Sequence, residues 1–173
     1  MAQFAEADKW CSEGNRRYPR DHRFTACRLW LGLIPNSTPN IDEAWLLAGR
    51  IDSLAPATER TFQTHLSRLI VGGIIGKSAR PRGGTAQGPL ADSAHRVLVR
   101  ARADALTDPE QELVGYEAVM LAQMGEIGEA INLLKRYVAL NPDHSFQAGD
   151  NVHWWWRDLV NKPEFQTLMT QRR

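Results

Sequence analysis

The chain has few of the residues and motifs that would indicate a particular chemistry. Only two of its 173 residues are cysteine, Cys11 and Cys27, and no C-x-x-C motif joins them. Each falls within a helical pattern, so we expect two reduced thiols buried as small hydrophobic side chains, as is usual in a reducing compartment. The histidines have no H-x3-H or His/Cys spacing typical of a zinc site. The sequence therefore predicts neither a metal nor a cofactor.

The chain also lacks a strong net charge and a long apolar segment. Its 21 Lys and Arg against 20 Asp and Glu give a net charge of +1, so no overall field draws it toward nucleic acid or an anionic membrane. Its longest nearly apolar run, Leu69–Gly76, is far shorter than a membrane-spanning helix of roughly 20 residues. The acidic N-terminus, Met1–Asp8, does not have the cationic start and apolar centre of a signal peptide. We expect a cytoplasmic protein without membrane insertion or nucleic-acid binding.

Catalytic motifs are missing as well. No Ser-His-Asp or Cys-His arrangement stands in a recognisable context. Gly72–Ser78 resembles a phosphate-binding loop, but its first glycine is one position too late for the pattern G-x-x-x-x-G-K-[ST]. We interpret the segment as a packed helix whose glycines let another helix approach closely. The sequence thus predicts a protein that is not an enzyme.

What the sequence does contain is a succession of helical patterns separated by Pro and Gly. Apolar residues recur at helical spacing, and no segment alternates with the period of two that indicates a half-buried strand. Between the helices, a Gly/Pro-rich loop at 78–90 is expected to be mobile. We predict one all-α domain over residues 1–173, with about eight or nine helices. Helical patterns that precede the C-terminal third cover residues 2–18, 24–34, 42–54, with Asp42 as a cap, 58–77 and 91–106.

The most specific pattern lies in the 34-residue block from Gln111 to His144. Large and small apolar residues alternate with the spacing of a helical hairpin, and a proline closes the block. The block resembles a tetratricopeptide (TPR) repeat, and residues 2–18 resemble the second helix of such a repeat without its first. The resemblance implies an α-solenoid of antiparallel helix pairs. The residues that carry it are Val114, Ala118, Leu121, Gly125, Ala130, Leu134 and Pro142, with Ala7, Cys11 and Pro19 at matching spacing near the N-terminus.

The C-terminal segment His153–Leu168 resembles the ending common after bacterial TPR arrays, an aromatic helix followed by Pro-x-Phe-x-x-Leu. Such arrays often form the C-terminal sensor or interaction region of signalling proteins such as Ser/Thr kinases. The resemblance implies a C-terminal capping helix and a non-catalytic scaffold that binds a protein or peptide partner in its groove. The alternative is a regulatory domain that senses a small molecule and is attached to such a signalling enzyme.

Three consecutive tryptophans in this segment divide between two helical faces. Helical spacing joins Trp155 and Trp156 to Val152, Leu159 and Val160, so this stripe is predicted to be buried. Trp154 and Arg157 lie off the stripe. They would form either an exposed partner-binding anchor or, for Trp154, a contact with the 78–90 loop or the terminal helix.

Further candidate partner contacts come from the groove and from the N-terminal helix. The TPR resemblance places Glu112, Gly115, Val119 and Ala122 on the groove, which implies an apolar groove with Val119 as a contact. An unpaired helix at 2–18 would expose apolar surface, so we expect that the chain either is part of a longer protein or self-associates through this helix.

An arginine cluster around Pro19 supplies the last candidates, Arg20 and Arg23. It is either a solvated turn with arginines near a helix C-terminus or a docking patch for an acidic or phosphorylated segment. The other members of the cluster are Arg16, Arg17 and Arg28.

Overall fold

Helices are the regular secondary structure of this chain. A computed structural model describes residues 4–35, 37–141 and 154–170, and these ranges contain eight helices and no strand. The all-α prediction is therefore confirmed for the described residues. In chain order the helices are α1 (Phe4–Arg17), α2 (His22–Leu31), α3 (Ile41–Leu54), α4 (Arg60–Ser78), α5 (Gly88–Arg100), α6 (Glu112–Met124), α7 (Ile127–Leu140) and α8 (Pro163–Thr170).

Local capping sets several helix ends. α3 is capped by Asn40, whose side chain accepts a hydrogen bond from the Glu43 amide at 3.1 Å, so the cap is not at Asp42 as the sequence predicted. The earlier cap lets Asp42 lie in the first turn, where a carboxylate is favoured by the helix dipole. α6 ends at Gly125, whose φ of 81° is left-handed and suits glycine.

Consecutive helices from α1 to α4 pack side by side, as do α4 with α5 and α6 with α7. In addition, α4 contacts both α2 and α6, which puts α4 at the centre of the helices. Glycines on α4 permit this close packing: a Cβ on Gly72 would lie 2.6 Å from Leu98 Cδ2 of α5. Added Cβ atoms on Gly73 and Gly76 would overlap Met120 and Met124 of α6. The segment that resembles a phosphate-binding loop is thus the packed interior of a helix.

Residues 154–161 form turns and not the predicted aromatic helix. The amides of Leu159 and Val160 both donate to the Trp156 carbonyl, at 2.7 and 2.9 Å, which closes one tight turn around a buried tryptophan. The helical stripe proposed from spacing is therefore wrong, and Val152 lies outside the described residues.

The short terminal helix is present as α8. It begins at Pro163, which needs no amide partner in the first turn. Its buried Phe165 and Leu168 join the core, and the helix contacts α7. The terminal helix implied by the resemblance is therefore present among the described residues.

Candidate interaction surfaces and a polar cavity

Val119 is not available to a partner. Its exposed fraction is 1%, Gly115 and Ala122 are also buried, and Glu112, the fourth residue assigned to the groove, is partly buried. α4 and α7 pack along α6, and the Gln123 side chain in the last turn donates to the Trp155 carbonyl at 3.2 Å. This corrects the prediction that Val119 is a groove contact, because the chain itself covers the helix on which Val119 lies.

Trp154 is packed within the chain and is not an exposed anchor. Its ring meets the Phe4 ring of α1 edge to face at 5.8 Å and contacts Trp155 at 5.7 Å. Trp155 in turn stacks on Trp30 of α2 with ring centroids 4.9 Å apart. Trp154 is partly buried, and the rings that it contacts belong to α1 and Trp155.

Arg157, the proposed companion of Trp154, is also half-buried. Its Nε lies 3.7 Å from a carboxylate oxygen of Asp158, and its Nη1 is buried without a hydrogen-bond partner. Arg157 is therefore half-buried beside Asp158 and is not a fully exposed cation.

The loop predicted to be mobile is tied to two other parts of the chain. Arg80 donates to the Gly84 carbonyl at 2.6 Å, to the Gln123 carbonyl at 3.2 Å and to Asp158 at 2.7 Å. The Ala86 amide also donates to the carbonyl of Met124 at 2.8 Å. These contacts join the loop to the end of α6 and to the C-terminal segment.

Lys77, the lysine of the segment Gly72–Ser78, donates hydrogen bonds to backbone carbonyls. Its ammonium donates to the carbonyls of Gly32 and Ser37 at 3.2 and 3.1 Å, and also to that of Ile34. Burial, and secondarily the charge of Arg157, lower the pKa of Lys77 to about 8. Lys77 therefore closes the turn after α2 and binds no phosphate there.

The arginines around Pro19 are mostly neutralised by nearby carboxylates. Arg16 and Arg17 both pair with Glu13, at 2.8 and 2.6 Å, and their hydrogen bonds lower the pKa of Glu13 to about 2. Arg23 pairs with Asp21 at 2.6 Å. Arg28 also has an ion pair, with an acid of α3. Arg20 is exposed and has no ion pair among the described residues, so the cluster fits a solvated turn better than a strong anion-docking patch.

The two cysteines are bonded to each other, contrary to the expectation of two free thiols. Cys11 and Cys27 form a disulfide between α1 and α2, with Cα atoms 5.7 Å apart. The two helices approach this closely because Gly14 of α1 leaves room for the Phe24 ring of α2. Spacing alone could not reveal the pair, because the proximity depends on how α1 and α2 pack.

An aromatic surface surrounds the disulfide. Trp10 and Tyr18 are 65% and 60% exposed, although both are large apolar side chains. They border a cavity of about 240 Å³ that is also lined by Gly14 and Phe24. We call this the α1 face.

A second cavity, of about 340 Å³, lies where α4, the turns after α5, α6 and α7 meet. Glu117 is 5% exposed and is held by Arg102, whose Nη2 lies 2.7 Å from Oε1. Asp108 accepts hydrogen bonds from two amides at the start of α6, both at 2.8 Å. Arg136 donates to the Gln111 side chain at 2.8 Å. We call this the polar cavity.

The described residues contain no helix that is long and apolar enough to cross a membrane. Within the same ranges, no three His, Cys, Asp or Glu side chains lie close enough together to hold a metal ion. No family model, curated protein or solved structure matches the chain.

Proposed function

We propose that this chain is a non-catalytic protein interaction module, a scaffold whose docking surface is the α1 face. The observation that carries the proposal is Trp10, which stands near the middle of α1 with 65% of its surface in water. Large aromatic residues are enriched at the centres of protein interfaces, and a cluster of them around a cavity is the usual form of a docking site. Tyr18 and the cavity beside it supply that cluster.

We propose that the occupant of this face is a second copy of the chain. The first half of α1 carries Glu6, Asp8 and Lys9, a net charge of −1, whereas its second half carries Glu13, Arg16 and Arg17, a net charge of +1. An antiparallel second α1 would bring opposite charges together at both ends and align the two helix dipoles favourably. Twofold symmetry requires that both copies use the same face. Trp10 of each copy would therefore enter the cavity of the other.

We also propose that α2 to α7 are three TPR-like hairpins in an α-solenoid. The support is the order of packing, in which consecutive helices pair and α2, α4 and α6 contact one another. In a longer signalling protein, such as a Ser/Thr kinase, such a module would bring two copies of the attached enzyme together.

Sedimentation velocity across a range of concentrations tests the docking proposal. Trp10→Ala is expected to weaken the dimer about 1,000-fold, because the dimer loses two Trp10 contacts at about 2 kcal/mol for each interface hot spot. Trp45→Ala is the matched control, because Trp45 is 43% exposed on α3 and does not line the cavity of the α1 face. Glu6→Arg and Arg17→Glu should each weaken the dimer, and the double variant should restore it.

Two results would contradict this proposal. One is a monomer at the highest concentration examined. The other is equal weakening by Trp45→Ala and Trp10→Ala, with helical content unchanged in both.

The polar cavity favours a second candidate function, a regulatory domain that senses a small molecule. Its walls combine apolar side chains with convergent polar and charged groups in a space of about 340 Å³, and small-molecule sites are concave and combine these two kinds of surface. Such a domain would transmit occupancy to an attached signalling enzyme.

A cytoplasmic location is kept as a prediction. The Cys11–Cys27 bond counts against it, since structural disulfides are uncommon in reducing compartments. Alkylation of the protein immediately on cell lysis, followed by mass spectrometry, distinguishes bonded from reduced cysteines.

A further inference from the structure

The polar cavity has an apolar floor and a charged rim. Leu69, Leu113 and Leu133 supply apolar surface, and the first two are buried in the core. Its volume of about 340 Å³ is at the small end of the range for ligand pockets. The cavity therefore suits a compact molecule with one apolar group.

Two of the three carboxylates that line the cavity already accept hydrogen bonds from other parts of the chain. Glu117 is buried and accepts hydrogen bonds on both oxygens from Arg102, at distances of 2.7 to 3.1 Å. Asp108 uses its two oxygens for the first amides of α6, where a carboxylate also offsets the helix dipole. Both groups are 5% exposed and are already engaged by contacts that hold the fold.

One cation, Arg136, and one anion, Asp104, line the cavity without an ion pair among the described residues. Arg136 donates a single N–H to Gln111 Oε1 and has no ion pair among the described residues. Asp104 is exposed and also has no ion pair in that part of the chain. Its Oδ1 accepts from the amides of Leu106 and Thr107, at 3.2 and 2.9 Å, and the Thr107 side chain also hydrogen-bonds to the carboxylate. Hydrogen bonds from Thr107 hold the pKa of Asp104 below its usual range, so the carboxylate is ionised at neutral pH.

Gln111 is placed at this rim in a strained conformation. Its φ of 52° makes it the one non-glycine residue with positive φ among the described residues. Such a conformation is uncommon for residues with a side chain and recurs at ligand-binding sites. In this conformation the side-chain oxygen of Gln111, Oε1, accepts a hydrogen bond from the Arg136 guanidinium. The side-chain amide N–H groups of Gln111 remain available as donors.

We propose that the polar cavity binds a free α-amino acid with an apolar side chain. Arg136 and the Gln111 amide hold the carboxylate, Asp104 holds the ammonium, and the leucine floor receives the side chain. The lining has three carboxylates and two guanidiniums, so its net charge of −1 disfavours a simple anion. Arg136 in turn disfavours a simple amine, and a zwitterion satisfies both groups. This inference rests on the second candidate function and is independent of the α1 face.

Isothermal titration calorimetry with L-leucine tests the proposal. Two matched probes each lack one charge, 4-methylpentanoate without the amine and 3-methylbutylamine without the carboxylate. We expect leucine to bind at least tenfold more tightly than either probe. Arg136→Gln and Asp104→Asn should each weaken leucine binding at least tenfold, and Asp104→Asn keeps the oxygen that accepts the turn amides.

The control variants are Arg96→Gln and Asp92→Asn, which remove the same charges from exposed positions on α5. They should bind leucine as the original chain does. In an NMR titration, leucine should also shift the side-chain amide signals of Gln111.

Three results would overturn the proposal: no heat of binding at millimolar leucine, equal binding of a probe that lacks one charge, or folded rim variants with unchanged affinity. Trp10→Ala should leave leucine binding intact. Failure of the amino-acid site and failure of the dimer proposal are therefore distinguishable.

Discussion

The three consecutive tryptophans provide a graded test of how the C-terminal segment packs. Trp156 is 2% exposed and lies against the buried ring of Phe165, with centroids 5.8 Å apart. Truncation of a buried tryptophan to alanine leaves a large cavity and typically costs about 3–5 kcal/mol. Trp156→Ala should therefore cause the largest loss of stability in this segment.

Truncation of either neighbouring tryptophan should cause a smaller loss of stability. Trp155 is partly exposed, so Trp155→Ala loses its stacking on Trp30 but less buried area, and we expect about 2–3 kcal/mol. Trp154 makes edge-to-face contacts with two neighbouring rings, and we expect Trp154→Ala to lower the free energy of unfolding by about 1–2 kcal/mol. At about 2–4 °C for each kcal/mol in a domain of this size, Trp156→Ala should lower Tm by about 6–20 °C.

Urea and thermal unfolding followed by circular dichroism at 222 nm measure this series without relying on tryptophan fluorescence. The packing predicts losses in the order Trp156, Trp155, Trp154. A regular helix with Trp155 and Trp156 on one buried stripe would instead make those two losses equal. Equal losses, or a Trp154→Ala loss as large as that of Trp156→Ala, would refute the turn structure described here.

Four further substitutions test the packing of α3 and α4, the disulfide between α1 and α2, and the burial of Lys77. Gly76→Ala forces a methyl group into Met124 and should cost about 1–3 kcal/mol in urea unfolding, whereas Gly49→Ala, with open space around it, should stabilise by about 0.5–1 kcal/mol. Cys27→Ser opens a link between residues 16 apart and should cost about 3 kcal/mol, a loss that a reducing agent should reproduce in the unaltered chain but not in the variant. Because the pKa of Lys77 falls from 10.5 to about 8 on folding, the unfolded chain binds more protons between these values. The unaltered chain should therefore gain stability with rising pH across that window relative to Lys77→Met, and identical pH profiles would contradict the burial of this ammonium.

Helices were predictable from the sequence because their apolar residues recur at helical spacing and Pro or Gly separates them. α1 and α3 lie within one or two residues of their predicted limits. α5 differs more, since it starts at Gly88 and ends at Arg100, six residues before the predicted end. Residues 101–106 continue the apolar pattern weakly, but Asp104 binds the amides of the two following residues and favours a turn there.

The C-terminal segment was predicted wrongly because a run of tryptophans satisfies a helical stripe and a tight turn equally well. Aromatic contacts with Phe4 and Trp30, distant in sequence, decide between them. A TPR pattern does not predict these contacts. It implies an open groove, and for that reason Val119 was predicted to lie on a free surface.

The polar cavity is likewise invisible to motif reading. Its unpaired charges, Asp104 and Arg136, are 32 positions apart and no short motif includes both. The one local signal was Gln111, which directly precedes a helix without a capping side chain, and a sequence pattern does not specify a left-handed backbone.

The contacts of the C-terminal segment also bear on how the chain unfolds. A stack in which each helix touches only its neighbours can lose its ends one repeat at a time. Here Trp154 and Trp155 contact α1 and α2, while Asp158 binds Arg80, so residues near the two ends of the sequence depend on each other. The chain should therefore melt in a single cooperative transition, and removal of residues 154–170 should convert that transition into gradual fraying that begins at α1.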